Sequence, residues 1–312
     1  MLCQACGKGE VWKIMEKIKL GVIGMSPGNG HPYSWSAICN GYDMRYMNEC
    51  PFPVIPQYLL NEIYPENFIS GAEVAYIWTQ DIKISEHVAK ASRIKHVVTN
   101  PLDMLGKVDG ILFARDDAEN HLEMCRPFLE AGVMIYIDKP LAFDLGTANK
   151  IYDLQKFDGQ IFSCSAMRYA KELEHSIDDI RKLGKLSYIH AMTMKSWDTY
   201  SAHIIDPLLC IIGDEIEYVD HMRIKNSNTQ GLVINLNDGL CISMMAHRHS
   251  GNPIEIDVFG EKGHCKVVFN DTFYAFKNAL NAFIESVKNK KSIIGENHVK
   301  KVVELIELGN GI

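Results

Sequence analysis

The chain has 312 residues, of which 47% are hydrophobic and 23% are charged, and its formal net charge is −7. This is the composition of a globular protein long enough for two domains, and the acidic balance argues against nucleic acid or an anionic membrane as a partner. No apolar run reaches the length of a membrane span. Nine cysteines, an odd number, favour free thiols in a cytoplasmic protein over a disulfide framework.

Residues 1–14 precede Met15 and are predicted to form a flexible tail. Cys3 and Cys6 form a Cys-x-x-Cys pair, but a structural zinc site would need a second pair at suitable spacing. We therefore expect no metal there. The N-terminus also lacks an apolar signal-peptide segment, so we do not expect secretion.

Residues 17–24 (KIKLGVIG) predict a strand that ends in glycine, before a turn of small residues and a short helix over 33–40. A Rossmann-type domain holds a pyrophosphate at such a strand–turn–helix opening. Against the G-x-G-x-x-G pattern, Ser26 and Asn29 occupy the second and third glycine positions, and an ordinary tight turn is the alternative. The candidate cofactor contacts are Gly24, Ser26, Gly28, Asn29, Gly30 and His31.

Strands and helices then alternate up to residue 165, which predicts a mostly parallel sheet. Residues 41–71 carry four prolines and are predicted to be an irregular insertion. After a strand over 72–78, Thr79 and Asp81 are candidates for the cofactor ribose, although Asp81 could equally cap the next helix. No arginine follows that strand end to take a 2′-phosphate, which favours NAD over NADP. Further strands are predicted over 97–98, 108–114, 133–137 and 160–165, and helices over 82–91, 118–131 and 145–154.

The segment 134–144 (MIYIDKPLAFD) is the most informative of the chain. Its apolar run suits a central parallel strand. Pro140 restricts Lys139 to extended geometry, and Asp144 can cap the following helix. A lysine at the carboxyl end of a strand can handle a proton in catalysis, whereas a solvated strand–helix joint is the alternative.

After residue 166 the pattern changes to one helix, a series of strands around an apolar helix over 204–212, and two final helices. This predicts an α+β domain over 166–312 with an open, mostly antiparallel sheet, after a dinucleotide-binding domain over 15–165. His203 and Asp206 are three residues apart at a helix start, so they can share a face. Histidine is the usual general acid or base near neutral pH. His247 and His249 could bind a metal, but no third ligand is evident, so we expect none.

Together these segments resemble the family of glucose–fructose oxidoreductase and myo-inositol dehydrogenase (the Gfo/Idh/MocA family). The resemblance rests on KIKLGVIG, the block from Val108 to Gly132, IDKPLA at 137–142, SAHIIDPLLCIIG at 201–213 and FGEKG at 259–263. IDKPLA resembles the family's Glu-Lys-Pro motif, with Asp138 in place of glutamate.

The resemblance implies an α/β fold and gives Lys139 and His203 as catalytic residues beside the nicotinamide. The carboxylate that precedes the histidine by four residues in the family falls on Thr199 and is missing. Asp116 and His121 match positions near the cofactor in the family. Arg168, Tyr169, Tyr200 and His203 are the candidate substrate contacts.

We therefore expect an enzyme that uses NAD or NADP to transfer a hydride to or from a secondary alcohol or ketone of a sugar, cyclitol or related polyol. We also expect a homodimer or homotetramer with no nucleic-acid or membrane partner. The alternatives are a non-catalytic NAD(P)-binding regulator, which the missing carboxylate favours, and an imine-type reductase on the same fold.

Overall fold

A computed structural model of the protein describes residues 17–248, 251 and 253–311. The predicted tail over 1–14, with Cys3 and Cys6, lies outside these residues, as does His249. Within them, no helix is both long enough and apolar enough to cross a membrane. In the part of the chain that the structure describes, two six-stranded sheets follow one another along the sequence.

The first sheet is entirely parallel, with strand order β3-β2-β1-β4-β5-β6. This confirms the predicted Rossmann-type sheet. The strand order reverses between β1 and β4, and in such sheets ligands bind beyond the carboxyl ends of the strands at this point. The strands are β1 (Ile18–Ile23), β2 (Ala72–Trp78), β3 (His96–Val97), β4 (Gly110–Phe113), β5 (Met134–Ile137) and β6 (Ile161–Phe162).

Among the described residues, six helices accompany the first sheet, and two of them lie in the segment predicted to be irregular. They are α1 (His31–Asn40), α2 (Met44–Met47), α3 (Val54–Leu60), α4 (Ile82–Ala91), α5 (His121–Glu130) and α6 (Leu145–Tyr152), besides 3-10 turns at Pro101–Met104, Ala118–Asn120 and Ala166–Tyr169. The helices α2 and α3 correct the prediction for 41–71, because Asp43 caps α2, and Pro53 and Pro56 lie at the start of α3. Asp81 and Asp144 cap α4 and α6, as proposed for both.

The second sheet has the order β12-β11-β7-β10-β9-β8. Within the described residues, β10 runs parallel to β7, and the other neighbouring pairs are antiparallel. The predicted open, mostly antiparallel sheet is therefore confirmed. The strands are β7 (Leu186–Met194), β8 (Tyr218–Lys225), β9 (Thr229–Leu236), β10 (Cys241–His247), β11 (Ile254–Gly260) and β12 (Gly263–Phe269).

In the described half after residue 166 there are five further helices: α7 (Lys171–Lys182), α8 (Trp197–Tyr200), α9 (Ala202–Ile212), α10 (Thr272–Asn289) and α11 (Glu296–Asn310). The helix α9 packs against β7 and β11, whereas α10 returns to contact β1 and β5. A carboxylate on α11, that of Glu307, accepts a hydrogen bond from the backbone N–H of Leu145. The last helices therefore join the two sheets, and the domain boundary after residue 165 stays a prediction.

The close contact between β9 and β10 depends on a glycine. A Cβ atom added at Gly231 would lie 2.3 Å from the carbonyl oxygen of Met244, which is far inside van der Waals distance. We predict that Gly231→Ala lowers the free energy of unfolding by about 1–3 kcal/mol, because the two strands must separate. The matched control is Gly71→Ala, where the added Cβ meets nothing within 4 Å. Equal denaturation midpoints for the two variants would contradict this packing.

Candidate active site

The carboxyl end of β5 is joined to the start of α1 through a buried carboxylate. Asp138 is 1% exposed, and its Oδ2 accepts a hydrogen bond from Asn29 Nδ2 at 2.8 Å and lies 2.6 Å from His31 Nδ1. Its Oδ1 accepts from the backbone N–H of Lys139 at 2.8 Å. Burial alone would raise the pKa of Asp138, but His31, Lys139 and the Asn29 hydrogen bond lower it below its ordinary value. Asp138 is therefore ionised and fixes the backbone before Lys139.

Lys139 lies next to the point where the strand order reverses, because it follows β5, the neighbour of β4. Its Nζ atom is 3.7 Å from Asp116 Oδ2, and the side chain is 7% exposed. Asp116 follows β4 and is hydrogen-bonded to the Ser26 hydroxyl, which also accepts from the Asp116 backbone N–H at 3.1 Å. The turn after β1, the end of β4 and the end of β5 thus meet around one ammonium group.

His203, on the first turn of α9, faces the same region. It is buried, and its ring centroid lies 5.1 Å from that of Tyr200. Lys139 Nζ is 5.8 Å from the Tyr200 centroid, so the predicted lysine, tyrosine and histidine lie together. Two distant segments of the chain therefore supply one cluster of polar groups.

The His203 imidazole is held from behind by a hydroxyl. Its Nδ1 lies 2.9 Å from Ser165 Oγ, and the Ser165 backbone N–H donates to Asp206 Oδ2 at 2.7 Å. Thr199, where the resemblance implied a missing carboxylate, is hydrogen-bonded to Ser196 instead. Burial, and secondarily the charge of Lys139, lower the pKa of His203 well below 6.5. The imidazole is therefore neutral near pH 7.

Arg168 lies in an ion-pair cluster adjacent to the Ser165–His203 pair. Its Nη1 donates to Asp206 Oδ1 at 2.8 Å and lies 2.9 Å from His298 Nε2, and its guanidinium stands 5.5 Å from the Tyr169 ring. This geometry suits positioning of Asp206, so direct substrate contact by Arg168 or Tyr169 stays a prediction. Ligand atoms of Asp206, Cys210 and His298 approach within 4.8 Å of one another, but a guanidinium already supplies the cation there.

The predicted cofactor residues include glycines of the turn after β1 and polar residues at the ends of β2 and β4. Gly28 has φ +83° with open space where a Cβ would lie, whereas Gly24 and Gly30 are packed against Pro32 and against Phe52 and Ile55. The polar residues form hydrogen bonds within the protein. Thr79 is hydrogen-bonded to the Asp81 carbonyl oxygen and to Ser85, and Asp81 caps α4. His121 is fully buried between the carbonyl oxygens of Leu141 and Arg115, each at 3.0 Å. Its geometry is that of a residue that positions these two loops.

Sequence reasoning missed three residues that shape the site: Ser165, Gln80 and Lys195. Gln80 both accepts from the Met25 backbone N–H, at 2.8 Å, and donates to the Met25 carbonyl oxygen, so it anchors the glycine turn to the end of β2. Gln80 follows β2 and Lys195 follows β7, while Ser165 lies shortly after β6. For Gln80 and Ser165 the available signal was a polar residue after a strand of the first sheet, because the carboxyl ends of parallel strands meet along one edge. Lys195 follows a strand of the second, mostly antiparallel sheet, so this signal does not extend to it.

Comparison with known proteins agrees with this architecture. Residues 60–165 match the model of a family described as an oxidoreductase family with an NAD-binding Rossmann fold. Over these residues, the match confirms the resemblance to the Gfo/Idh/MocA family. No curated protein sequence matches the chain.

Solved structures similar to this chain include several inositol dehydrogenases. Myo-inositol dehydrogenase from Lactobacillus casei, in complex with NAD(H) and myo-inositol, has a TM-score of 0.72 at 15% identity, covering 95% of this chain and 94% of that one. Myo-inositol 2-dehydrogenase from Lactobacillus plantarum has a TM-score of 0.70 at 16% identity, with coverages of 95% and 97%. Scyllo-inositol dehydrogenase from Lactobacillus casei has 0.69 at 13%, with 96% of each chain. At these identities the likeness establishes a shared fold.

The neutrality of His203 can be tested by histidine NMR titration. We predict that the His203 ring remains mostly unprotonated at pH 6.5, where an ordinary histidine is about half protonated, because its pKa is lowered well below that value. Lys139→Met should raise the pKa of His203, because it removes a nearby positive charge, whereas Lys185→Met at an exposed site should not. A His203 ring that is half protonated or more at pH 6.5 would contradict the described environment.

Proposed function

We propose that the protein is an NAD(P)-dependent oxidoreductase acting on a secondary alcohol, or the corresponding ketone, of a sugar, cyclitol or related polyol. The observation that carries the proposal is the convergence of Lys139, Tyr200 and His203 next to the point where the strand order of the Rossmann sheet reverses. The family match, whose description specifies NAD binding, supports the cofactor class.

The residues present fit a nicotinamide dinucleotide. The open backbone at Gly28 permits close approach of a pyrophosphate, and the start of α1 favours negative charge. NAD is favoured over NADP because no arginine follows β2. Arg115 does reach Gln80 at that strand end, at 3.2 Å, but two hydrogen bonds to Asp117 neutralise its charge. A 2′-phosphate would therefore have to compete with Asp117 for that cation.

In the oxidation direction, a substrate C–H bond breaks as hydride is lost, and the O–H proton leaves as the C=O bond forms. When bound, the nicotinamide would accept this hydride, and it would return the hydride in the reverse direction. His203 accepts the proton, because its neutral imidazole has a free basic nitrogen when Nδ1–H donates to the Ser165 hydroxyl. Lys139 hydrogen-bonds the same oxygen and stabilises the negative charge that develops on it. Tyr200 orients the polyol between them.

We predict that Lys139→Ala and His203→Ala each lower turnover by about 10²-fold or more, while NAD affinity changes little. Initial rates of reduced-nicotinamide formation with a polyol panel, and calorimetric titration with NAD, measure the two quantities. Matched controls are Lys185→Ala and His175→Ala, which alter exposed side chains of the same types. Full turnover in Lys139→Ala or His203→Ala would remove that residue from the mechanism.

A non-catalytic NAD(P)-binding regulator is the second candidate. Thr199 supplies no carboxylate, and its hydroxyl is engaged with Ser196, which favours this candidate. A protein that binds NAD but reduces it with no member of the polyol panel would support the regulator.

We further propose that the chain forms a homodimer or homotetramer. The face of the second sheet opposite its helices carries the exposed side chains of Tyr188, Met222 and Phe259, which supports assembly through that face. A cytoplasmic location, inferred from free thiols, stays a prediction.

A further inference from the structure

Lys195 has a backbone conformation that needs an explanation. It directly follows β7, is exposed, and has φ +62°, the left-handed region that lysine rarely adopts. Residues held in such conformations persist where the surrounding structure imposes them, and they are frequent at ligand sites. The conformation alone does not identify a role, so the side-chain contacts decide.

The Lys195 side chain points toward the proposed catalytic residues. Its ammonium donates a hydrogen bond to Tyr200 Oη and lies 4.3 Å from the centroid of that ring. The same ring is 5.1 Å from the His203 ring and 5.8 Å from Lys139 Nζ. Lys195 therefore stands at the rim of the site, with one aromatic ring between it and the reacting groups.

The charges around the site are not balanced at Lys195. Lys139 faces Asp116 at 3.7 Å, and Asp138 faces His31 at 2.6 Å. In contrast, no carboxylate oxygen within residues 17–248, 251 and 253–311 lies within 4 Å of Lys195 Nζ. Thr199, four residues further along the chain, carries a hydroxyl group where the resemblance implied a carboxylate. The rim thus carries a cation whose counter-ion a bound ligand could supply.

We propose that Lys195 binds an anionic substituent, a carboxylate or a phosphate, on the sugar substrate. The inference rests on the proposed function, because it takes the substrate to lie between Lys139 and His203. The Tyr200 hydroxyl keeps the ammonium directed at the cleft, while the sugar oxygen that reacts is held deeper in the site. A charge-assisted hydrogen bond at the rim then selects acidic sugars over neutral ones.

Equilibrium binding to the full chain, with and without NAD, tests this with matched sugars. The probes are D-glucose, D-glucuronate and D-glucose 6-phosphate, and the corresponding galactose series. We expect at least one acidic sugar to bind about tenfold or more tightly than its neutral partner. In Lys195→Met this preference should disappear while neutral sugars bind as before. Lys195→Arg should retain it, and the control Lys225→Met, an exposed strand-end lysine, should leave it unchanged.

Comparing D-glucuronate with D-glucose 6-phosphate shows whether the site prefers a carboxylate or a phosphate. Equal binding of neutral and acidic sugars by the unaltered protein, or a preference that survives in Lys195→Met, would overturn the inference. Parallel assays of reduced-nicotinamide formation separate it from the proposed function. A charge preference that depends on Lys195, without any turnover, would retain the anion site and reject the oxidoreductase proposal.

Discussion

The buried carboxylate of Asp138 is the interaction on which the geometry of the candidate site depends. It lies at the carboxyl end of β5, where Asn29, His31 and the backbone N–H of Lys139 offset its desolvation. An ionised group in the interior is stable only if such partners are present. The same interactions fix the direction in which the chain leaves β5 and therefore where Lys139 points. The glycine turn and Lys139, the proposed catalytic lysine, are thus not independent features of the sequence.

The chemistry available to His203 depends on the group that is hydrogen-bonded to its ring. A carboxylate behind an imidazole stabilises the protonated ring, whereas the Ser165 hydroxyl can donate or accept and does not add charge. With Lys139 also nearby, the neutral ring is favoured. The arrangement suits a base that takes up a proton only as the substrate oxygen releases it. It also explains how a site without a carboxylate at Thr199 can retain its histidine.

Much of the fold could be predicted from local patterns. The apolar run before Lys139 and the caps at Asp81 and Asp144 are determined by neighbouring residues, so their signals are contained in short windows. Pairing between distant strands leaves no such signal, and the parallel pair of β7 with β10 was not predicted for this reason. The short helices in 41–71 were missed because proline normally indicates an irregular segment.

In the candidate site, too, features determined by a short segment could be predicted, and features determined by distant contacts could not. Lys139 and His203 could be proposed because each stands in a recognisable segment, whereas the contact of Ser165 with His203 exists only because α9 packs beside the end of the first sheet. His121 was expected near the cofactor. Its contacts with two backbone carbonyl groups depend on the conformation of the loops after β4 and β5, which the sequence alone does not indicate. The contacts of Ser165 and His121 depend on which segments lie close together in the folded protein, and residue type alone does not indicate this.

The central claim is that Lys139 and His203 act on one oxygen atom. A double-mutant cycle of turnover with Lys139→Ala, His203→Ala and the combined variant tests this most directly. If both groups serve the same oxygen, the combined loss should be well below the product of the single losses, roughly 10³-fold where independent effects would give about 10⁴-fold. Losses that multiply would show that the two residues act separately and would contradict the account.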